Sequence, residues 1–520
     1  MFDSLKELFQ SSGGREKLAP PPPPPHPIVP SLMDNLVYLR AQFGVSSDLT
    51  IRELEAGGCS AALVTLEGMV DRHTIADAVL LPMSQVPETG DPVGLMEHIR
   101  DKVLALTDML QVSTMEELID LVCSGFAAVL VDGVPYAVLG GFQNFKIRGV
   151  DEPSSEMTAR GSREGFTEAI RINISMIRRR MKTPEMTFEM MSAGKTSHTA
   201  VCLCYMRGRV SERLLSDVRS RIANLPLDVV LESGYIQPFL ENRRLSLFSS
   251  VGTTERPDTL CGKVAEGRIA VLVDGTPFAL ITPTLFVEHF QSMDDYAVHP
   301  YYASFLRMIK YVAFFVGMLL PGLYVAVGTF HPEMLPFTLM LSYFKSDLAT
   351  PFPLVVEALL IHFLFEVMRE AGLRFPKAVG HAVSIVGALV IGESAVRAGL
   401  IGAPMVIIVA LTAISSFVIP SLYGSVTLLR FLFIVLGGTL GLYGIMIGVS
   451  LLLCSICAVH IHSIPFTAPI TPFSLKAMRD VLIRADWREL WKKQFLVQNV
   501  VGSHLKEQEP SSGSRDSDGQ

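Results

Sequence analysis

Four ionisable side chains stand in apolar sequence, where charge is expensive. Glu357, His362 and Glu366 lie in LVVEALLIHFLFEVMREAGLR, residues 354–374, and Glu393 closes a second apolar run, 378–396. Groups of this kind in hydrocarbon mark ion paths, proton relays or internal pairs. A second charged constellation is Arg160-Gly161-Ser162-Arg163-Glu164, followed by Arg171 and the triplet Arg178-Arg179-Arg180. Clustered guanidiniums suit phosphate, which makes this an anion or phospholipid-headgroup candidate. The interleaved acids Glu164, Glu168 and Glu185 favour the other reading, an ion-pair network holding units or subunits together. Beyond Gly165 the segment reads as a helix with Arg171, Ile174 and Arg178 on one face. No nucleophile elbow, paired-His metal motif or dinucleotide fingerprint accompanies these residues. No catalytic, cofactor-binding or metal residue is therefore assigned, and the chain is not read as an enzyme. The seven cysteines, at 59, 123, 202, 204, 261, 454 and 457, include no second pair at zinc spacing, so free thiols are expected.

The elements that hold the acidic residues are membrane helices. A span needs about 20 apolar residues, and only helices or closed barrels satisfy their backbone in lipid. Spans are expected at 311–330, with Pro321 kinking it, and near 354–370, 378–396 and 402–420. The run 335–344 is too short to cross, and 431–461 reads as one tilted helix rather than two. That makes about five spans. Basic residues at 307, 310 and 369–377 place the N-terminal part in the cytoplasm. The same count leaves the basic stretch 476–493 on the far side, against the rule, so either 335–346 and its neighbours make an extra crossing, or 431–461 doubles back, or the rule fails here. Within 378–396, Gly380, Ser384, Ala388 and Gly392 recur at every fourth position, a close-packing stripe. Val379, Val383, Val386 and Val390 form a separate stripe running into Glu393 and Arg397. Either both stripes pack, with Glu393 and Arg397 paired one turn apart, or the valines and Glu393 line a pore that closes by dewetting.

The remainder is soluble in pattern. Charged residues make up 18% of the 520-residue chain, and its net charge of −7 gives no reason to expect nucleic acid. Residues 1–30 form a flexible segment containing the prolines 20–25. From 31 to 150 and from 151 to 295 the sequence repeats. Ala128-Val129-Leu130-Val131-Asp132-Gly133 parallels Ala270-Val271-Leu272-Val273-Asp274-Gly275, and the stretch ending at Gly68 parallels that ending at Gly208. Each copy reads as an α/β unit. Asp71 and Ser211 are expected to cap helices 72–81 and 212–224, and Ser113 to Glu116 to form a capping box. Further helices are expected at 94–111 and 114–124, and each unit should close on a type I′ Asp-Gly hairpin. The fold class is thus a duplicated α/β soluble domain followed by an all-α multi-pass bundle at 300–461, with a polar tail from 462 to 520.

Several long blocks resemble one family. They are Arg160 to Glu168, Glu266 to Phe278, Phe365 to Arg374, Ile385 to Gly392 and Leu411 to Pro420. In order and content they resemble the A subunits of GerA-type spore germinant receptors across most of 31–475. The resemblance implies a subunit of a nutrient germinant receptor in the spore inner membrane. It also implies partnership with B and C subunits, homo-oligomerisation within the larger complex, and ion release triggered by small-molecule germinants. The residues themselves leave a different reading open, a proton- or ion-coupled carrier using Glu357, His362 and Glu366. Carriers show repeats in the membrane half; here the repeat is in the soluble half.

Overall fold

The computed structural model describes residues 25–88, 90–103, 109–143, 153, 156, 158, 160–241, 246–375, 393–474, 477–490 and 496–505. These fall into two compact units, one holding residues up to 44, 48–145 and 182–184, the other holding 45–47, 146–181 and 185 onward.

The first unit contains α1 (Leu32–Phe43), β1 (Leu49–Ala56), β2 (Cys59–Leu66), α2 (72–84), α3 (Pro92–His98), β3 (Met109–Val112), α4 (Met115–Cys123), β4 (Phe126–Val131) and β5 (Ala137–Gly141). Its sheet runs β1-β2-β4-β5-β3, antiparallel throughout. Both faces are covered, which is why β2 reads as a continuous apolar run. Ala62, Val64 and Leu66 pack with α1 and α4, while Ala61 and Leu63 pack with α2 and α3. Residues 109–111, expected to be helical, are strand. They pair with Val138 to Gly140 and so satisfy backbone that would otherwise be an open edge. The capping box does not form. Thr114 makes no side-chain cap bond, and the Glu116 carboxylate accepts instead from His26 N at 3.0 Å.

The α/β part of the second unit contains α5 (Ile170–Arg180), β6 (Met186–Ala193), β7 (Thr199–Met206), α6 (Glu212–Ala223), β8 (Gly252–Thr254), α7 (Pro257–Ala265), β9 (Ile269–Val273) and β10 (Ala279–Thr282). Its order, β6-β7-β9-β10-β8, is the same as that of the first sheet. The two Asp-Gly corners do the same work. Asp132 Oδ1 accepts the Leu32 amide that opens α1 at 2.9 Å, and Asp274 Oδ1 accepts the Ile170 amide that opens α5 at 3.0 Å. Neither corner is a type I′ turn, which requires two consecutive positive φ angles. Only Gly133 (φ 89) and Gly275 (φ 92) have one, and the connections are longer than two residues.

Five helices follow among the described residues: α8 (Pro300–Phe330), α9 (Phe337–Asp347), α10 (Leu354–Arg374), α11 (Ala403–Phe417) and α12 (Tyr423–Cys457). Pro300–Phe330 and Pro420–Cys457 are the two helices, among the described residues, long and apolar enough to cross a membrane. The second is not one rod. Gly441 has φ 61 and ψ −147, and beyond it Gly448 lies against Phe433 and Gly444 against Leu436. The expected single tilted helix is therefore corrected to a helical hairpin. Its legs of about 16–18 residues each rise roughly 24–27 Å. The first leg runs parallel to α8, with Gly317 beside Val426 and Gly322 beside Phe433. Both α10 and α11 run the opposite way, since Leu354 meets Gly328 and Ser416 meets Gly317.

The returning leg brings the chain back to the sheet. Ile464, Val481, Val497 and Leu505 join the core formed by β7, β9 and α6. Within the stretch read as a polar tail from 462, these residues pack as part of a core. Ser211 does not cap α6 with its side chain; its hydroxyl donates to Leu505 O at 3.2 Å. If the hairpin spans, the tail and the second sheet share a face of the bilayer. With the two exposed cysteines Cys454 and Cys457 replaced by serine, cysteines at Glu212 and Thr471 should be modified by a membrane-impermeant thiol reagent from one side of a vesicle. A cysteine at Lys345 should be modified only from the other.

Candidate functional site

Two acidic residues of α10, Glu357 and Glu366, are engaged by neighbouring helices, whereas Glu370 pairs with Arg369 and Arg374 of its own helix. Glu357 is buried and accepts the Gly402 amide at 2.7 Å, so it caps the start of α11. Glu366 gathers four groups: Tyr423 Oη at 2.9 Å, Arg369 Nε at 2.9 Å, Thr427 Oγ1 at 3.3 Å and Arg430 Nη1 at 3.4 Å. Arg430 is fully buried and also donates from Nε to Gly317 O at 3.0 Å and from Nη2 to Ser416 Oγ at 2.5 Å. One guanidinium thereby ties α8, α10 and α11 to α12. In the sequence Arg430 stands just before the apolar run that starts at Phe431 and so has the look of a flank; the helix in fact starts at Tyr423. His362, also buried, donates from Nδ1 to Ala358 O one turn back at 2.9 Å, and among the described residues its Nε2 has no hydrogen-bond partner.

A second cluster joins the helices to the sheet of the same unit. Arg307, fully buried on α8, contacts Asp295 Oδ2 through Nε at 2.8 Å and Asp480 Oδ1 through Nη1 at 2.8 Å. Lys310 reaches Asp295 at 3.0 Å, and Tyr296 Oη donates to Asp480 at 2.7 Å. Burial pushes the Tyr296 hydroxyl well above its ordinary value, and Asp480 adds to the shift. Nearby, Arg268 is buried against Glu266 and Glu288, and Lys263 meets Glu288 at 3.0 Å. Burial alone would raise Glu288, but Arg268 and Lys263 outweigh it and hold its carboxyl below the usual range. On the far face of the sheet His462 bonds Asp217 at 2.5 Å and Thr282 at 3.0 Å. With Arg221 it holds Asp217 down to about 2.

The arginine constellation divides. Glu164 pairs with Arg179 at 2.5 Å and with Arg180 at 2.6 Å. Arg178 turns inward, fully buried, donating to Met186 O at 2.8 Å over the Phe188 ring. Arg160 meets Asp294 only through its backbone amide, and Arg163 and Arg171 each have partners of their own. They do not converge with Arg178 on one surface. The helix itself begins at Ile170 rather than just after Gly165. Glu393 pairs with Arg397 at 2.6 Å on an exposed face. Val383, Val386 and Val390 lie outside the described residues. Among the described residues no group of His, Cys, Asp and Glu converges on a metal position.

The sequence that builds these sheets and helices matches one family over most of its length. Residues 37–495 match the model for the Bacillus/Clostridium GerA spore germination protein. The chain belongs to the GerA family. It is 39% identical to spore germination protein KA of Bacillus subtilis, over 88% of this chain and 85% of that one. An uncharacterized membrane protein of the same organism, YfkQ, is 36% identical over 89% and 90%. Spore germination protein GerLA of Bacillus cereus is 32% identical over 87% and 93%. Among solved structures, the N-terminal domain of the A subunit of the Bacillus megaterium spore germinant receptor GerK3 is 31% identical. It covers 51% of this chain and 99% of that one at a TM-score of 0.41.

Two outcomes follow for this GerA-family chain. Removing one partner of a buried pair costs about 3–5 kcal/mol, because the other charge is left behind. Arg430→Met and Glu366→Gln should therefore each lower the thermal unfolding midpoint in detergent, and the double variant should recover part of the loss. Burial lowers the pKa of His289, although the Ser249 carbonyl beside its Nε2 at 3.3 Å opposes the shift. The unfolded imidazole titrates near its ordinary value of about 6.5 and takes up a proton the folded chain refuses. Stability should be full above that pH and fall below it, and His289→Gln should flatten the slope in a pH series of unfolding midpoints.

Proposed function

We propose that this chain is the A-type membrane subunit of a nutrient germinant receptor, acting with B and C subunits in the inner membrane of a spore. The observation that carries the reading is the family match over nearly the whole chain, soluble and helical parts together. On this reading the two α/β units are copies of one ancestral unit. They share a strand order, the Asp132 and Asp274 caps, and an asparagine clamp. Asn35 brackets Val29 in the first unit as Asn173 brackets Thr167 in the second. The bundle would cross the membrane an even number of times, with the α/β units and the tail in the cytoplasm. The hairpin at Gly441 supports this, because it puts Arg307, Lys310, Arg369, Arg374, Arg479 and Arg484 at one end of the helices. Cytoplasmic flanks are basic in this way.

The receptor would work as an oligomeric, ligand-gated ion channel. A change in the second sheet would reach α8 through Asp295 and Asp480, which both hold Arg307. The valine spacing at 383, 386 and 390, with Glu393 at the mouth, supports a dewetting gate. The carrier reading has less support, since Glu357 and Glu366 are each tied to a neighbouring helix rather than left for a substrate or proton. Spores lacking this chain should lose ion release in response to one class of nutrient, with B and C subunits co-purifying from wild-type spore membranes. Val390→Ala should give leakage or loss of dormancy at normal receptor abundance. Unaltered dormancy and nutrient response in that variant would count against the gate, and an unaltered response in the deletion would count against the receptor.

A further inference from the structure

The cluster at Arg307 leaves cationic donors unused. Arg484 is only 2% exposed, yet among the described residues its Nε and Nη2 find no hydrogen-bond partner, and Arg307 Nη2 is in the same state. The nearby acids are already committed, Asp295 to Arg307 and Lys310, and Asp480 to Arg307 and Tyr296. Among the described residues no carboxylate pairs with Arg484. The three cations Arg307, Lys310 and Arg484 thus face two carboxylates. A buried guanidinium with idle donors is costly, and an anion from outside the chain would relieve that cost.

Its surroundings point to the anion. The Arg484 amide donates to Ser304 Oγ at 3.0 Å, which fixes it beside the opening turns of α8. Those turns carry Tyr301, Tyr302 and Phe305, and the Arg484 segment carries Leu482, Ile483 and Trp487, all exposed. Tyrosine and tryptophan in such a belt sit at headgroup level in a bilayer. The guanidinium lies 5.2 Å from the Trp487 ring and 5.8 Å from Tyr296, whose ring also carries Arg307 at 5.5 Å. A planar guanidinium presents paired donors that match phosphate oxygens.

We propose that Arg484, assisted by Arg307, binds the phosphate of an anionic phospholipid headgroup, with Trp487 as the cover that moves aside. Lipid would then occupy the cluster through which sheet and bundle are joined, so bilayer composition would bear on that joint. The lipid part rests on α8 crossing a bilayer; the phosphate part does not.

The two tryptophans of the chain, Trp487 and Trp491, make the site observable. The full-length Trp491→Phe chain, in a neutral detergent, is titrated with dihexanoyl phosphatidylglycerol, with dihexanoyl phosphatidylcholine and with inorganic phosphate while Trp487 emission is followed. Phosphatidylglycerol should give a saturable change. Arg484→Gln should weaken it by about tenfold or more, the worth of a charged hydrogen bond, while Arg484→Lys retains most of it. A response to the lipid alone assigns a headgroup; an equal response to inorganic phosphate assigns free phosphate as a second source. No saturable change with either, or unchanged affinity in folded Arg484→Gln, overturns the site. Should the glutamine variant not fold, the unaltered arginine decides: equal affinity for the anionic and zwitterionic lipids overturns the proposal.

Discussion

A buried guanidinium must be matched by carboxylates wherever the chain can supply them, and Arg307 sets that demand at the root of the bundle. It is fully buried, and its two partners come from different places in the chain. Asp295 lies just before α8, whereas Asp480 lies beyond the last helix. Leaving either charge unpaired in the interior is strongly unfavourable. The pairing therefore requires the segment after α12 to return to the end of α8 where the sheet sits. The reversal at Gly441, whose positive φ a residue with a side chain rarely adopts, makes that return possible.

The same requirement shapes the second sheet. In the first unit, the face of β2 carrying Ala61 and Leu63 is covered by α2 and α3. In the second, the corresponding face of β7 is covered by α6 together with Ile464, Val481, Val497 and Leu505. Burying an aliphatic side chain contributes roughly 1.5–3 kcal/mol. The returned segment is consequently part of the core and not an appendage. His462 pins it further through Asp217 and Thr282, and Ser211 through Leu505. A sheet completed by chain that has just left the bundle is mechanically joined to that bundle. Within the helices Glu366 and Arg430 repeat the logic, drawing four helices onto one ion pair.

Much of this was legible in the residues alone. Two apolar strand runs ending in Asp-Gly, at 132 and 274, and the matching stretches before Gly68 and Gly208 disclose two like units, because strand period and turn chemistry are local properties. Glu357, His362 and Glu366 stood out because charge in apolar sequence is locally conspicuous. The family was readable from the long blocks between 160 and 420. Partners were not legible. Nothing near Asp480 announces Arg307, and nothing near His462 announces Asp217, since hydrogen bonds between distant segments leave no periodicity. The capping box at Ser113 to Glu116, the Ser211 cap and the type I′ corners failed for a related reason. Ser211, Glu116 and Asp132 found stronger uses with residues far along the chain than with their own turns. Thus composition and local period determined where charge, strand and apolar helix occur. Only the tertiary structure decided that the run after 423 doubles back, because one glycine's φ is invisible in an apolar run, and that reversal selects which distant charges meet.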